Sequence, residues 1–289
     1  MLLLAITFGC DKKLDNYSIE YSGDKLVVFG KISNIDGVYI ELTHSLPPTG
    51  EFYFDSVNLK VGGATVVLFE NGLPVDTLDE IDVGIYSGTY PAISGNQYSI
   101  HCNATGYDSV FSSSVSFPQE GFTGTIQYEP GLTDINGDPA IRLTPVFSDD
   151  PSNANYYFFG FTSFDGASPV PNDAIYEFPD SDPFDCGPYR FAIRQVDYRI
   201  FTDNCFSGLN FPFGFEASGV YYSDTIHHFS SIRMIVGNAS KEYYDYALST
   251  FEIGGFDLVF TDPKITYSNI LNGYGVFWAE NGSAFTYSF

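Results

Sequence analysis

Thr65-Val66-Val67-Leu68-Phe69-Glu70-Asn71-Gly72-Leu73-Pro74-Val75-Asp76-Thr77-Leu78 is the stretch that decides the fold class. Two runs of β-forming residues, Thr65 to Glu70 and Val75 to Leu78, flank Asn71-Gly72, the residue pair that accepts the positive φ a tight hairpin demands. The spacing predicts a hairpin there. Working outward, Lys25 to Gly30, Val38 to Thr43, Gly84 to Ser87, Gln97 to Asn103 and Val110 to Phe117 repeat the pattern, with turn residues between them at the interval of an all-β sandwich. Val38, Ile40 and Leu42 alternate with Tyr39, Glu41 and Thr43, which gives that run one face for a core.

Pro118-Gln119-Glu120-Gly121 interrupts the pattern and reads as a joint. Beyond it the runs are longer and more aromatic: Gly124 to Glu129, Ala140 to Phe147, Asn155 to Ser163, Tyr189 to Phe201, Leu209 to Phe215 and His227 to Val236. One helix is expected over Ala239 to Phe251, where Tyr244, Ala247, Leu248 and Phe251 share a face and Asn238 or Ser240 can cap the first turn. Asp262-Pro263 then stops the pattern before a last run through Tyr274 to Trp278. The reading is mostly β: a leader and tether over 1–24, an immunoglobulin-like β-sandwich over 25–118, and a β-rich domain with the helix near 239–251 over 119–289.

Composition agrees with this reading. Of 289 residues, 44% are hydrophobic and 17% charged, which excludes disorder as the main state. Phe (28) and Tyr (22) dominate the aromatics, and 28 Gly with 16 Pro supply the turns. Twelve Lys plus Arg face 36 Asp plus Glu, and a net charge of -24 repels a phosphate backbone, which argues against nucleic acid as a partner.

Leu2 to Phe8 form a short apolar run ending in Gly9-Cys10, followed at once by Asp11-Lys12-Lys13. As a helix this run spans roughly 10 Å, against about 30 Å of membrane hydrocarbon, so it reads as a signal peptide rather than a span. A small residue before Cys resembles the bacterial lipobox, in which the Cys is acylated and becomes the first mature residue. The match departs from the pattern in two places: no Lys or Arg precedes the run, and Thr7 stands where an aliphatic residue is usual. Lipidation at Cys10 is the expectation; a buried Cys in an amino-terminal strand is the other reading. Charged residues directly after the Cys resemble the signal that sends Bacteroidetes lipoproteins to the cell surface. Membrane attachment then rests on acyl chains, each buried methylene contributing about 0.8 kcal/mol.

Cys186 and Cys205 both lie in Gly/Asp/Asn-rich sequence and are the expected disulfide pair, closing a loop worth about 3 kcal/mol. Two free thiols are the alternative. Cys102 follows Ile100 in a strand pattern and reads as a small buried hydrophobe.

Several segments, taken in order, resemble one family. They are Cys10 with its polar spacer, Gly23-Asp24-Lys25-Leu26-Val27-Val28, Thr43-His44-Ser45-Leu46-Pro47-Pro48, Gly63-Ala64-Thr65-Val66, Glu70-Asn71-Gly72 and Gly84-Ile85-Tyr86. Later come Asp150-Pro151 with Asn155-Tyr156-Tyr157, Glu242-Tyr243-Tyr244-Asp245-Tyr246, Tyr267-Ser268-Asn269-Ile270, and Asn272-Gly273-Tyr274-Gly275-Val276-Phe277. The order is similar to that of the Bacteroidetes envelope lipoproteins catalogued as domain of unknown function 4249. That resemblance implies an accessory lipoprotein of a TonB-dependent outer-membrane receptor, with no established reaction and no catalytic residues to carry over.

Motifs of chemistry are few. The four His, at 44, 101, 227 and 228, form no zinc-helix pattern, and His227 and His228 face opposite sides of a strand. There is no Gly-x-Ser-x-Gly elbow, phosphate loop or dinucleotide fingerprint. Asp134-Ile135-Asn136-Gly137-Asp138 is a weak Ca²⁺ candidate through Asp134, Asn136 and Asp138, but Gly comes too early for an EF-hand and an Asx/Gly turn is the favoured reading. Asp149, Asp150 and Asn153 carry the same two readings; Asp182 and Asp185 read as solvated loop acids. Phe52, Tyr53 and Phe54, or Phe211, Phe213 and Phe215, offer a sugar- or peptide-gripping surface, the latter three reading more readily as sheet core.

The expectation is a non-catalytic lipoprotein on the surface of the outer membrane, partnered with a TonB-dependent receptor and holding no cofactor. An autonomous glycan- or peptide-binding module is the alternative, and a hydrolase with paired carboxylates the second alternative.

Overall fold

A computed structural model describes residues 23–46, 59–134, 136–152, 154–170, 176–177, 189–193, 196–205, 208–212, 214–222, 226–251 and 266–289. The chain is mostly β, with a single short helix among the described residues, Lys241–Phe251. The hairpin expected at Asn71-Gly72 is present: Glu70 pairs with Leu73, and φ is 50° at Asn71 and 80° at Gly72. Positive φ at both central residues matches the right-handed twist of the flanking strands, which is why this dipeptide closes the turn.

A ten-stranded sheet forms the spine. Its order runs Tyr189–Ile193, Val196–Thr202, Tyr156–Asp165, Ser231–Ala239, Tyr274–Ser288, Leu26–Ser33, Gly37–His44, Ile85–Gly88 and Asp79–Asp82, with Ser168–Val170 also paired to Tyr156–Asp165. The last strand, Tyr274–Ser288, pairs in parallel with the first, from Val27↔Tyr274 to Ser33↔Glu280. On its other edge it pairs antiparallel with Ser231–Ala239, from Ser231↔Ser288 to Ala239↔Glu280. This last strand thus pairs with strands on both sides of residue 118, and Ile270, Phe277 and Ala279 lie in the first core.

Side-chain alternation along Tyr274–Ser288 explains the three cores. Phe277 and Ala279 point into the first core, against Val66, Leu68 and Ile100 of a six-stranded sheet. Phe285 and Tyr287, of the same parity, pack against the second core, which includes Ile141, Leu143, Phe215 and Ala217 of a five-stranded sheet. Val276 and Trp278, of opposite parity, face the helix through Tyr243 and Ala247. A period of two thus puts the five- and six-stranded sheets on one face of the spine and the helix on the other.

Several expected runs divide. Tyr189 to Phe201 is a hairpin of Tyr189–Ile193 and Val196–Thr202, and His227 to Val236 splits into Ile226–His228 and Ser231–Ala239. Leu209 to Phe215 divides into Asn210–Pro212 and Phe215–Ser218, both paired to Pro139–Ser148. Strand Asp79–Asp82 escapes the sequence reading because all four residues are exposed and three are acidic, so no apolar alternation marks it. Acids suit such an edge, since charge discourages pairing with another chain.

The helix keeps its expected position but turns a different face inward. Tyr243 and Ala247 are buried, whereas Tyr244 and Leu248 are half-buried. Trp278 sets this choice: the Tyr243 ring stacks on it at 4.7 Å and 12°, with Phe29 edge-on at 4.9 Å. The helix sequence offers Tyr at 243, 244 and 246, and only the residue beneath selects among them.

Candidate functional site

The start of the helix opens onto a cleft of about 430 Å³. Three segments meet there: Ser116 to Glu120 leaving the first unit, the turn at Asp150 with Ala154 to Tyr156, and Asn238 to Glu242. Each is held by identifiable bonds. Asn281 Nδ2 donates to Pro118 O at 2.9 Å, tying the joint to the last strand. Asp149 accepts from Tyr157 Oη at 2.6 Å, Asn155 Nδ2 at 3.1 Å and Gly208 N at 2.6 Å, which fixes the entrance to strand Tyr156–Asp165. Ser240 N donates to Ala279 O at 2.8 Å, and Ser240 Oγ accepts from Ala279 N at 3.2 Å. Its hydroxyl oxygen therefore anchors the helix start to the spine.

The lining is acidic and rich in hydrogen-bonding groups. Glu120, Asp150 and Glu242 contribute carboxylates. The Ser152 backbone N–H holds the Asp150 carboxyl below its ordinary range. Lys241 Nζ donates to Asp245 Oδ1 at 2.6 Å, and this bond raises the Lys241 pKa. Tyr156, half-buried beside Tyr244 at 5.3 Å, has its hydroxyl pushed up by burial. Asn238 is 7% exposed, and its Oδ1 is buried without a hydrogen-bond partner. An orphaned buried acceptor of this kind costs about 1–3 kcal/mol, which marks the residue among the lining groups. In the sequence Asn238 stood out only as a helix cap; its isolation depends on what surrounds it in space.

Of the acids singled out from sequence, Asp150 lines the cleft and Asp149 fixes one wall of it; the other candidates fall elsewhere. Cys10, Phe52, Tyr53, Phe54, Asn153, Asp182, Asp185, Cys186 and Phe213 lie outside the described residues, as do the side chains of Cys205, Phe211 and His227. Asp134 and Asp138 sit in an Asx/Gly turn. Asp134 Oδ1 accepts from Asn136 N at 2.8 Å and Asp138 N at 3.0 Å, Ser218 Oγ donates to Oδ2 at 2.9 Å, and Gly137 takes φ 86°. Both carboxylate oxygens of Asp134 are thus engaged by the protein's own donors. Among the described residues no group of three or more His, Cys, Asp or Glu is placed to hold a metal ion. Phe215 is core, at 1% exposure. Cys102 is buried, and burial pushes its thiol up to about 12. Trp278 is buried under the helix, with Nε1 donating to Glu280 Oε1 at 2.8 Å.

Comparison with curated proteins returns no match. A family model does match, and it spans the five- and six-stranded sheets, the spine as far as residue 284 and every wall of the cleft. Residues 15–284 fit the family described as Domain of unknown function (DUF4249), and the chain belongs to that family.

Proposed function

We infer that the protein is a non-catalytic lipoprotein, acylated at Cys10, exposed on the surface of the outer membrane of a Bacteroidetes cell and accessory to a TonB-dependent receptor in nutrient uptake. The observation that carries this reading is where the family match falls: it begins at residue 15, a few residues after Gly9-Cys10 and its charged spacer, and continues to residue 284. A tether followed directly by folded domain is the layout an acyl-anchored protein needs. Among the described residues no helix is long and apolar enough to cross a membrane, so in this reading the acyl chains do the anchoring.

The first unit serves as an immunoglobulin-like sandwich, and strand Tyr274–Ser288 makes it continuous with the second through backbone hydrogen bonds on both edges. Such a spine transmits position: loops on either unit keep a set geometry toward a partner. Confinement to one membrane plane raises the effective concentration of both partners, so a modest intrinsic affinity suffices.

The test is purification of the full-length protein from detergent-solubilised outer membrane, with intact-mass analysis of the mature chain. The expected result is a mass carrying acyl chains on Cys10 and co-recovery of a β-barrel receptor. An unmodified thiol at Cys10, or repeated recovery without any barrel, overturns the reading.

A further inference from the structure

We propose that the cleft at the helix start is a binding site for an uncharged oligosaccharide, with Asn238 as its buried hydrogen-bonding residue. A volume of about 430 Å³ is within the range of small-ligand sites, roughly 300–1,000 Å³. The inference stands apart from the membrane anchor and from any receptor.

The chemistry of the walls selects the ligand. Three carboxylates line the cleft, and Lys241, the cation among its lining residues, is engaged by Asp245, so an anion meets net repulsion. A simple cation would meet the carboxylates but also the positive end of the helix dipole. In the first turn of the helix Tyr243 N reaches back to Ser240 O at 3.2 Å, and the N–H groups before it have no acceptor within the helix, so they favour a ligand that accepts. Asn238 Oδ1 needs one that donates. A hydroxyl does both. Carboxylates and amides with an aromatic ring beside them, here Glu120, Asp150, Gln119 and Tyr156, are groups suited to vicinal hydroxyls. The terminal torsion of Asn is broad, so the Asn238 amide can turn its oxygen toward an arriving hydroxyl without leaving its rotamer well.

A peptide added as a strand is disfavoured by the sheet order. Tyr156–Asp165 lies between Val196–Thr202 and Ser231–Ala239, and Ser231–Ala239 lies between Tyr156–Asp165 and Tyr274–Ser288. Both of these strands are paired on each edge, and Val115–Ser116, whose Ser116 also lines the cleft and which pairs with Gln97–Asn103, is only two residues long, too short an edge for β-augmentation.

The experiment is titration calorimetry on the purified full-length protein in detergent. Cellohexaose, mannohexaose, xylohexaose and chitohexaose serve as neutral probes, with tetralysine, trialanine and oligogalacturonate as cationic, peptide and anionic probes. Saturable binding of a neutral oligosaccharide is expected, with Kd raised tenfold or more in Asn238→Leu and severalfold in Glu242→Ala. Glu242 is on the rim, so that variant decides the matter if Asn238→Leu fails to fold. Silence from every neutral probe, binding of a charged or peptide probe instead, or an affinity unchanged in both folded variants overturns the proposal. Because no receptor is present, these outcomes are distinct from failure to recover a barrel.

Discussion

Lys31 Nζ lies 2.9 Å from Glu280 Oε2, an ion pair buried inside the spine where the first and last strands run in parallel. The two residues are 4% and 1% exposed. Trp278 Nε1 donates to the second carboxylate oxygen, and Asp36 approaches Lys31 at 3.5 Å. Removing one partner strands the other as a buried charge, a larger penalty than the pair's net contribution. Lys31→Met or Glu280→Gln alone is expected to destabilise the protein by about 3–5 kcal/mol in urea unfolding. The double variant Lys31→Met with Glu280→Gln should lose less than the two single losses added together; strict additivity would show that the pair is not coupled.

Glu70 gives a pH dependence with a definite sign. The hydrogen bond from Tyr98, then that from Asn96, hold its carboxyl below the ordinary value, with Tyr90 adding a third. A depressed folded-state pKa contributes stability that is fully present above the ordinary carboxylate value, near 4.3, and is lost as pH falls through the folded value. The Glu70→Gln variant is expected to lose less stability than wild type between about pH 5 and pH 3. Parallel stability curves for the two proteins over that window would contradict the assignment.

Two glycines separate backbone conformation from crowding. Gly275 has φ 106°, and a Cβ there would run into the carbonyl oxygen of Val28 on the parallel neighbour. Gly72 has φ 80° but open space around it. Gly275→Ala is expected to cost about 3 kcal/mol or more, because the neighbouring backbone must move, and Gly72→Ala about 1–2 kcal/mol for its conformation alone. Denaturant midpoints of the two variants measure the difference.

Cys102 should be inert in the folded protein. Its thiol is fully buried and pushed up to about 12 by burial, so the reactive thiolate is scarce at neutral pH. Iodoacetamide at pH 8 should leave the peptide carrying Cys102 unmodified until denaturant is added, and rapid native labelling seen by mass spectrometry would count against this packing.

Asn71-Gly72 specified its turn, Val38 to Thr43 its core-facing residues and the run expected over Ala239 to Phe251 a helix, which starts at Lys241 with Ala239 closing the preceding strand, because dihedral preference and face periodicity are properties of neighbouring residues. The order of segments also pointed to the family, since turns and core strands keep their sequence spacing. Only the tertiary structure joined Leu26–Ser33 to Tyr274–Ser288, chose Tyr243 as the residue stacked on Trp278, and gathered Glu120, Asp150 and Asn238 around one cleft. Which strand lies beside which, and which polar atom is left without a partner, depends on how faces hundreds of residues apart are buried together, and no local pattern encodes that.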